Sequence, residues 1–340
     1  MHRLFHAPDA LALHPANPVH TLTVMQIEPK LSFVNCPDTQ GGHRMAFWDW
    51  GDEAATHVVM CVHGMARQGR DFDVLAQALL AAGGPSVRVV CPDVVGRGKS
   101  DWLKDPMTYG VPTYAMDLMA LLAQLKPVTL DWLGTSLGGL IAMAICGQPD
   151  LPAHAKVRRL VLNDVGPVVQ WVFIERLKSY LGKGERFESI QQAADALWAI
   201  SSSFGPHTPA QWLALSTPMV KPVADAPGFW QLHYDPAIAV PVRVTTPEQA
   251  AQGQALLWHL YDQITAQTLL VRGQQSDLLS FDTAQAMTQR GPKARLIELA
   301  GVGHAPTFVS DAQVSIAVNF LLETDKRANL AKQAAPDLKP

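Results

Sequence analysis

The sequence predicts a doubly wound α/β fold, with a mostly parallel sheet and a helical insertion between late strands, and three observations lead there. Five short runs rich in Val, Leu and Ile, at 57–62, 87–90, 128–133, 160–162 and 268–271, lack polar alternation and suit strands buried on both faces. Helical stretches follow most of them, at 71–82, 114–125 and 137–146, so that crossovers join successive strands. The alternation breaks once, between 166 and 262, where amphipathic stretches carry Trp171, Trp198, Trp212, Trp230 and Trp258 and no strand is convincing.

Taken in chain order, residues 1–20 hold Pro8, Pro15 and Pro18 among short polar residues and read as a poorly ordered arm. The strand at 57–62 ends in His63-Gly64-Met65, and the strand at 87–90 runs into Pro92-Asp93 and a loop closing on Gly98-Lys99-Ser100. The strand at 128–133 meets Gly134-Thr135-Ser136-Leu137-Gly138, and the one at 160–162 meets Asn163-Asp164. Residues 167–262 read as a helical cap, because an insertion of that size belongs over the carboxyl ends of the strands, where such sheets bind ligands. The strand at 268–271 leads to Gly273 and Ser276-Asp277, and a weaker run at 295–299 leads to Gly303-His304. A helix at 311–322 and a flexible tail at 326–340 complete the chain, whose α/β core is then 21–166 and 263–325.

Composition narrows the function classes. Of 340 residues, 48% are hydrophobic and 17% charged, with 27 basic and 30 acidic side chains for a net charge of -3, which excludes a disordered or coiled-coil protein. Lys and Arg are scattered, so nucleic acid is not an expected partner. No run approaches a membrane span and the N-terminal residues lack a signal peptide's apolar stretch, so no membrane association is expected. Cys36, Cys61, Cys91 and Cys146 show no CxxC spacing and read as reduced, buried thiols of a cytoplasmic protein. No His/Cys/Asp grouping has metal-ligand spacing, and neither a metal nor an organic cofactor is expected.

Chemistry concentrates at Ser136. A serine on a sharp strand-to-helix turn needs small residues two positions before and after it, which Gly134 and Gly138 supply, and the turn forces its hydroxyl into the cleft. A hydroxyl is a poor nucleophile at neutral pH, so an imidazole must take its proton and a carboxylate must orient that imidazole. The order Ser, acid, His is met by Ser136, Asp277 and His304, the last two following late strands. Asp164 also stands at a strand's carboxyl end, but Asp277 is favoured for its later strand and its short spacing to His304. The turn at Met65 can aim its backbone N–H, with that of Leu137, at a bound carbonyl oxygen. Gly98-Lys99-Ser100 is no phosphate loop, since Asp93 stands where that motif requires glycine. In the cap, Trp171, Trp230 and His233 are candidates for substrate contact; Arg67 and Arg70 fit either a substrate carboxylate or solvated helix caps.

These segments, in this order from residue 41 to 324, resemble the α/β-hydrolase-fold serine hydrolases of the capped esterase type. The resemblance implies Ser136 as nucleophile, His304 as base, Asp277 as its acid, Met65 and Leu137 as oxyanion donors, and a structural loop at 92–100. It also implies an acyl-enzyme, because relatives that hydrolyse epoxides or haloalkanes place Asp where Ser136 stands. The expected activity is hydrolysis of small to medium carboxylic esters or lactones. The same triad also serves carbon–carbon hydrolysis of diketone-like substrates or acyl transfer, and a receptor can keep the scaffold without catalysis. A small-molecule ester is the expected partner, and the oligomeric state is open.

Overall fold

A computed structural model describes residues 27–323, so the expected arm at 1–20 and tail at 326–340 lie outside the described residues. Eight strands form one sheet: β1 (Lys30–Cys36), β2 (His43–Trp50), β3 (His57–Val62), β4 (Val87–Pro92), β5 (Thr129–Thr135), β6 (Val157–Asn163), β10 (Gln267–Gly273) and β11 (Arg295–Leu299), in the order β1-β2-β4-β3-β5-β6-β10-β11. Only β2 runs against its neighbours; the other pairings from β4 to β11 are parallel. The five apolar runs are thus β3, β4, β5, β6 and β10, the inner strands, and the weak run at 295–299 is the edge strand β11.

Two faces are covered because consecutive strand residues point opposite ways. In β3, Val58, Met60 and Val62 join the core packed by α2 (Val111–Leu125), α3 (Leu137–Cys146) and α9 (Phe281–Gln289). Val59 and Cys61 join the other core, packed by α1 (Asp73–Gly83) and α10 (Asp311–Leu321). Among the described residues no helix is long and apolar enough to cross a membrane.

The insertion between β6 and β10 carries α4 (Trp171–Tyr180), α5 (Ile190–Ser201), α6 (Pro209–Ser216), α7 (Ala239–Val244) and α8 (Pro247–Asp262). It also holds a small antiparallel sheet of β7 (Arg186–Phe187), β8 (Val220–Pro222) and β9 (Trp230–Leu232), ordered β7-β9-β8, where the sequence analysis expected helices alone. Strands of two or three residues leave too little periodicity to detect. The insertion is tied to the core at the His304 loop: Ser203 Oγ donates to His304 O at 3.0 Å, and Gly303 N–H donates to Ser203 O.

The topology fixes where a site forms. From β3 the chain turns to β4 on one side, then crosses to β5 on the other, so the crevice opens between β3 and β5 at their carboxyl ends. Val62 and Gly134 face each other there as the last register pair, which delivers the Met65 turn and Ser136 side by side.

Candidate active site

Ser136 holds φ 52° and ψ −115°, a conformation non-glycine residues rarely adopt, which costs of order 1–3 kcal/mol at this strand-to-helix turn. The crowding behind it is measurable. A Cβ on Gly138 would stand 2.1 Å from Val62 O, and one on Gly134 would stand 2.4 Å from Gly138 O, so only glycine lets β5 turn directly into α3. The turn is held from β6: Ser136 N–H donates to Asn163 O at 3.0 Å, and Asn163 Nδ2 donates to Thr135 Oγ1 and Pro306 O at 3.0 and 2.8 Å.

Three side chains meet beyond this turn. His304 Nε2 lies 3.0 Å from Ser136 Oγ, and His304 Nδ1 lies 2.8 Å from Asp164 Oδ2. The carboxylate is fully buried and receives two further donors, Gly273 N–H on Oδ1 at 2.8 Å and Ser276 Oγ–H on Oδ2 at 2.6 Å. With Nδ1–H donating to Asp164, Nε2 is left free to accept from the serine hydroxyl.

The partner of His304 corrects the expectation for Asp277. The turn after β10 points Ser276 inward, where its hydroxyl buttresses Asp164, and directs Asp277 outward to α4. There Asp277 forms a two-bond ion pair with Arg176, Nε to Oδ2 at 2.8 Å and Nη2 to Oδ1 at 3.1 Å. Asp164 reaches the imidazole because it sits directly at the end of β6, at φ 52°, one strand nearer to Ser136 than β10.

Met65 lines the same cavity as Ser136, and Leu137 opens α3 beside it. The first helical N–H paired within that turn is Gly139, to Ser136 O at 2.9 Å, which leaves the N–H of Leu137 at the positive end of the helix. Two buried groups hold the Met65 turn. Arg97 donates Nε to Met65 O at 2.9 Å and Nη1 to Val95 O and Tyr114 Oη at 2.7 and 3.0 Å. His63 accepts Val94 N–H at Nε2, 2.9 Å, and its Nδ1–H donates to Gly64 O at 2.7 Å; burial pushes its pKa down to about 3, so the ring is neutral. Asp93 is a loop brace, as expected: it is buried, accepts from Gly69 and Lys99 N–H at 2.7 and 2.8 Å, and burial raises its pKa to about 6.

A cavity of about 430 Å³ opens over Ser136 and His304. Its walls are mostly apolar, from Phe173, Leu177, Leu197, Phe204 and Met219 among others. Of the insertion residues singled out from the sequence, Trp171, Trp230 and His233 do not line it, a second correction. On α4 the inward face is Phe173, Arg176, Leu177 and Tyr180, the i, i+3, i+4, i+7 set, which turns Trp171 away against Lys178. Trp230 belongs to the small sheet, and His233 is braced by backbone bonds with Met219 and Gly98, with its pKa lowered to about 4 by burial. Arg67 and Arg70 pair with Asp71 and Asp73.

One grouping of metal-ligand types occurs among the described residues, Cys36, His43 and Asp117, which the sequence concealed because its members come from β1, β2 and α2. His43 is instead clamped between carboxylates, Nδ1 to Asp38 and Nε2 to Asp117 at 3.0 Å each. The Asp117 bond above all raises its pKa to about 11, so it locks the β1–β2 hairpin to α2 as an imidazolium.

Comparison with known proteins agrees with this architecture. The profile of the alpha/beta hydrolase family matches residues 59–317. A 3-hydroxybutyrate-oligomer hydrolase of Cupriavidus necator is 48% identical over 297 residues, covering 87% of this chain and 99% of the relative. A crystal structure of an alpha/beta hydrolase from Novosphingobium aromaticivorans superposes with a TM-score of 0.73 at 33% identity, covering 87% of this chain and 98% of the other. An esterase of Mycobacterium tuberculosis shares the fold, with a TM-score of 0.64 at 21% identity over 87% of this chain and 93% of the other. A family profile spanning most of the chain, together with a relative nearly half identical from end to end, places this chain in the alpha/beta hydrolase family.

Proposed function

We propose that the protein is a serine hydrolase of carboxylic esters whose substrates are short oligoesters of 3-hydroxybutyrate type. The observation that carries the chemistry is the relay from Ser136 Oγ through His304 to Asp164, with contacts of 3.0 and 2.8 Å. The substrate class comes from the Cupriavidus necator relative and suits a mostly apolar cavity of about 430 Å³, a size usual for small-molecule sites. That relative favours ester cleavage over a carbon–carbon substrate or a receptor role. Residues 167–262 act as the cap that closes this cavity, and the four free, buried cysteines suit a cytoplasmic protein.

His304 Nε2 takes the proton of Ser136 as the hydroxyl oxygen attacks the ester carbonyl, and Asp164 holds the imidazolium that results. The carbonyl oxygen, now anionic, rests on the N–H groups of Met65 and Leu137, each such donor worth about 3 kcal/mol to the transition state. Collapse breaks the C–O bond, and His304 gives its proton to the departing alcohol. Water then repeats the sequence on the acyl-enzyme, with His304 again as base, releasing the acid and restoring Ser136.

The test pairs a fluorophosphonate probe with product analysis on 3-hydroxybutyrate dimer and trimer. Labelling at Ser136 that Ser136→Ala abolishes, together with release of 3-hydroxybutyrate by the wild type alone, is the expected result. A wild type that neither takes the label nor turns over any ester would sink the proposal.

A further inference from the structure

The charged groups around the cavity differ in how fully they are already neutralised. Arg67 gives Nε and Nη2 to Asp71 at 2.7 Å each, and Nη2 also contacts Leu215 O at 3.3 Å. Lys183 and Glu185 stand together on the exposed loop between α4 and β7, opposite in sign. Arg176 is different. It projects from the inward face of α4, and only its Nε and one Nη2 proton are taken, both by Asp277. The other edge of the guanidinium, with both Nη1 protons and the second Nη2 proton, has no acceptor among the described residues, and the side chain lines the cavity.

Its distance from the reacting atoms is bounded by one ring. His304 packs edge-on against Phe173 with centroids 4.9 Å apart, and the Arg176 guanidinium carbon lies 4.9 Å from the centre of the same Phe173 ring. Arg176 is therefore no farther than twice that distance from the imidazole that protonates the leaving group. In a 3-hydroxyacyl oligoester, the leaving oxygen and the next carboxyl carbon are three bonds apart, roughly 4 Å at about 1.5 Å per bond. Adding a hydrogen-bond contact of about 3 Å at each end gives a reach of up to about 10 Å, enough to bridge separations within that bound.

We propose that the free edge of Arg176 receives the terminal carboxylate of the substrate, one monomer beyond the scissile ester on the alcohol side. This rests on the oligoester reading above. It makes the enzyme an exo-acting hydrolase that cuts the last ester before the free acid and releases the carboxyl-terminal hydroxy acid as the first product. Asp277 holds Arg176 extended over the cavity and also repels the incoming anion, so the pair discriminates by strength: a neutral terminus gains a single weaker hydrogen bond, and an anionic one gains the charge-assisted free edge of the fork. Lys does not replace Arg here, because a point charge cannot serve Asp277 and a substrate carboxylate through two edges at once.

The experiment compares 3-hydroxybutyrate dimer with its primary amide, which keeps the scissile ester and size but loses the terminal charge. The wild type should prefer the acid, and Arg176→Met should reduce the acid-to-amide ratio of kcat/KM about 10- to 100-fold, mainly through KM for the acid. Asp277→Asn should move the ratio the other way by lowering KM for the acid, an effect that loss of structure does not produce. With trimer labelled in its carboxyl-terminal unit, labelled monomer should appear before labelled dimer. Equal treatment of acid and amide by the wild type, or equal losses on both in Arg176→Met without gain in Asp277→Asn, overturns the proposal. Should the oligomers not be turned over at all while p-nitrophenyl butyrate is, the substrate reading fails and the carboxylate site is decided separately. In that case 3-hydroxybutyrate must inhibit p-nitrophenyl butyrate turnover more strongly than its amide in the wild type and lose that advantage in Arg176→Met, or the site falls too.

Discussion

Replacing Asp164 by Asn tests the relay at its most constrained point, because the outcome follows from counting donors. Three converge on the carboxylate: Gly273 N–H on Oδ1, and Ser276 Oγ–H with His304 Nδ1–H on Oδ2. Asn keeps one acceptor oxygen and gains an NH₂ group that must occupy the other place. The Gly273 N–H is backbone and cannot turn away, so the Asn oxygen stays there and the NH₂ faces His304. A donor opposite Nδ1 forces the tautomer with the proton on Nε2, and the base then presents a donor to Ser136 instead of an acceptor. A triad histidine held in the wrong tautomer costs about 10⁴ in kcat, or about 5.5 kcal/mol of transition-state stabilisation. The assay is steady-state hydrolysis of p-nitrophenyl butyrate together with the rate of fluorophosphonate labelling, and both should collapse in Asp164→Asn far more than in Asp277→Asn. A larger loss in Asp277→Asn would refute the reasoning, since that side chain lies on Arg176 and not on the imidazole.

Two further outcomes concern stability. Gly138→Ala should lower the urea midpoint by an amount equal to about 1–3 kcal/mol, because its Cβ would stand 2.1 Å from Val62 O, whereas Gly253→Ala, in the interior of α8 with nothing within 4 Å, should raise stability by about 0.5–1 kcal/mol; equal shifts would refute the packing account. His63 makes a pH-dependent contribution: its folded pKa, about 3, lies below the ordinary histidine value, so its stabilisation is complete above about pH 6.5 and is lost as pH falls toward 3. Between pH 7 and 5 that loss is about 2 kcal/mol, so the stability gap between wild type and His63→Gln, measured by urea unfolding, should narrow by that amount, and a gap independent of pH would show that the ring is not held neutral.

The inner strands and the nucleophile turn were legible in the sequence because burial on both faces leaves an unbroken apolar run, as in Val58 to Val62, and a tight elbow leaves two obligatory glycines. β1 and β2 were not, because they form the antiparallel edge: in β1 only Val34 and Cys36 are buried, and in β2 buried His43 and Asp49 interrupt the apolar signal. α9 escaped for a similar reason, with Thr283, Ala284 and Met287 as its only buried residues. Within the site, Ser136 and His304 were found from local motifs, but the choice of acid depends on which carboxylate the fold brings within reach. Asp164 and Asp277 both follow strands, and only the turn that sends Ser276 inward separates them. The aromatic content of the insertion misled for a different reason. Trp212 is buried in the core of the insertion, where its Nε1 donates to Ala194 O, and Trp198 packs against it at 4.9 Å from an exposed position, so the cavity is left to Phe173, Leu177 and Phe204.

The position of Asp164 also shows how one loop holds both Ser136 and His304. Asn163 and Asp164 are consecutive at the end of β6; the first accepts from Ser136 N–H through its carbonyl, and the second accepts from His304. Ser136 and His304 are therefore both referenced to the same two consecutive residues, Asn163 through its carbonyl and Asp164 through its carboxylate, while the loop after β11 carries the imidazole itself. With the acid supplied from β6, the loop after β10 is released from holding the imidazole directly. It contributes only the Ser276 hydroxyl and the Gly273 N–H to the site, and its carboxylate, Asp277, is free to meet the insertion at Arg176. Had Asp277 been the partner of His304, Arg176 would stand at the cavity wall without its ion-pair partner, neutralised by solvent alone. The assignment of one carboxylate to His304 and the other to Arg176 thus gives each a partner, and it leaves a guanidinium with one free edge in the wall of the cavity.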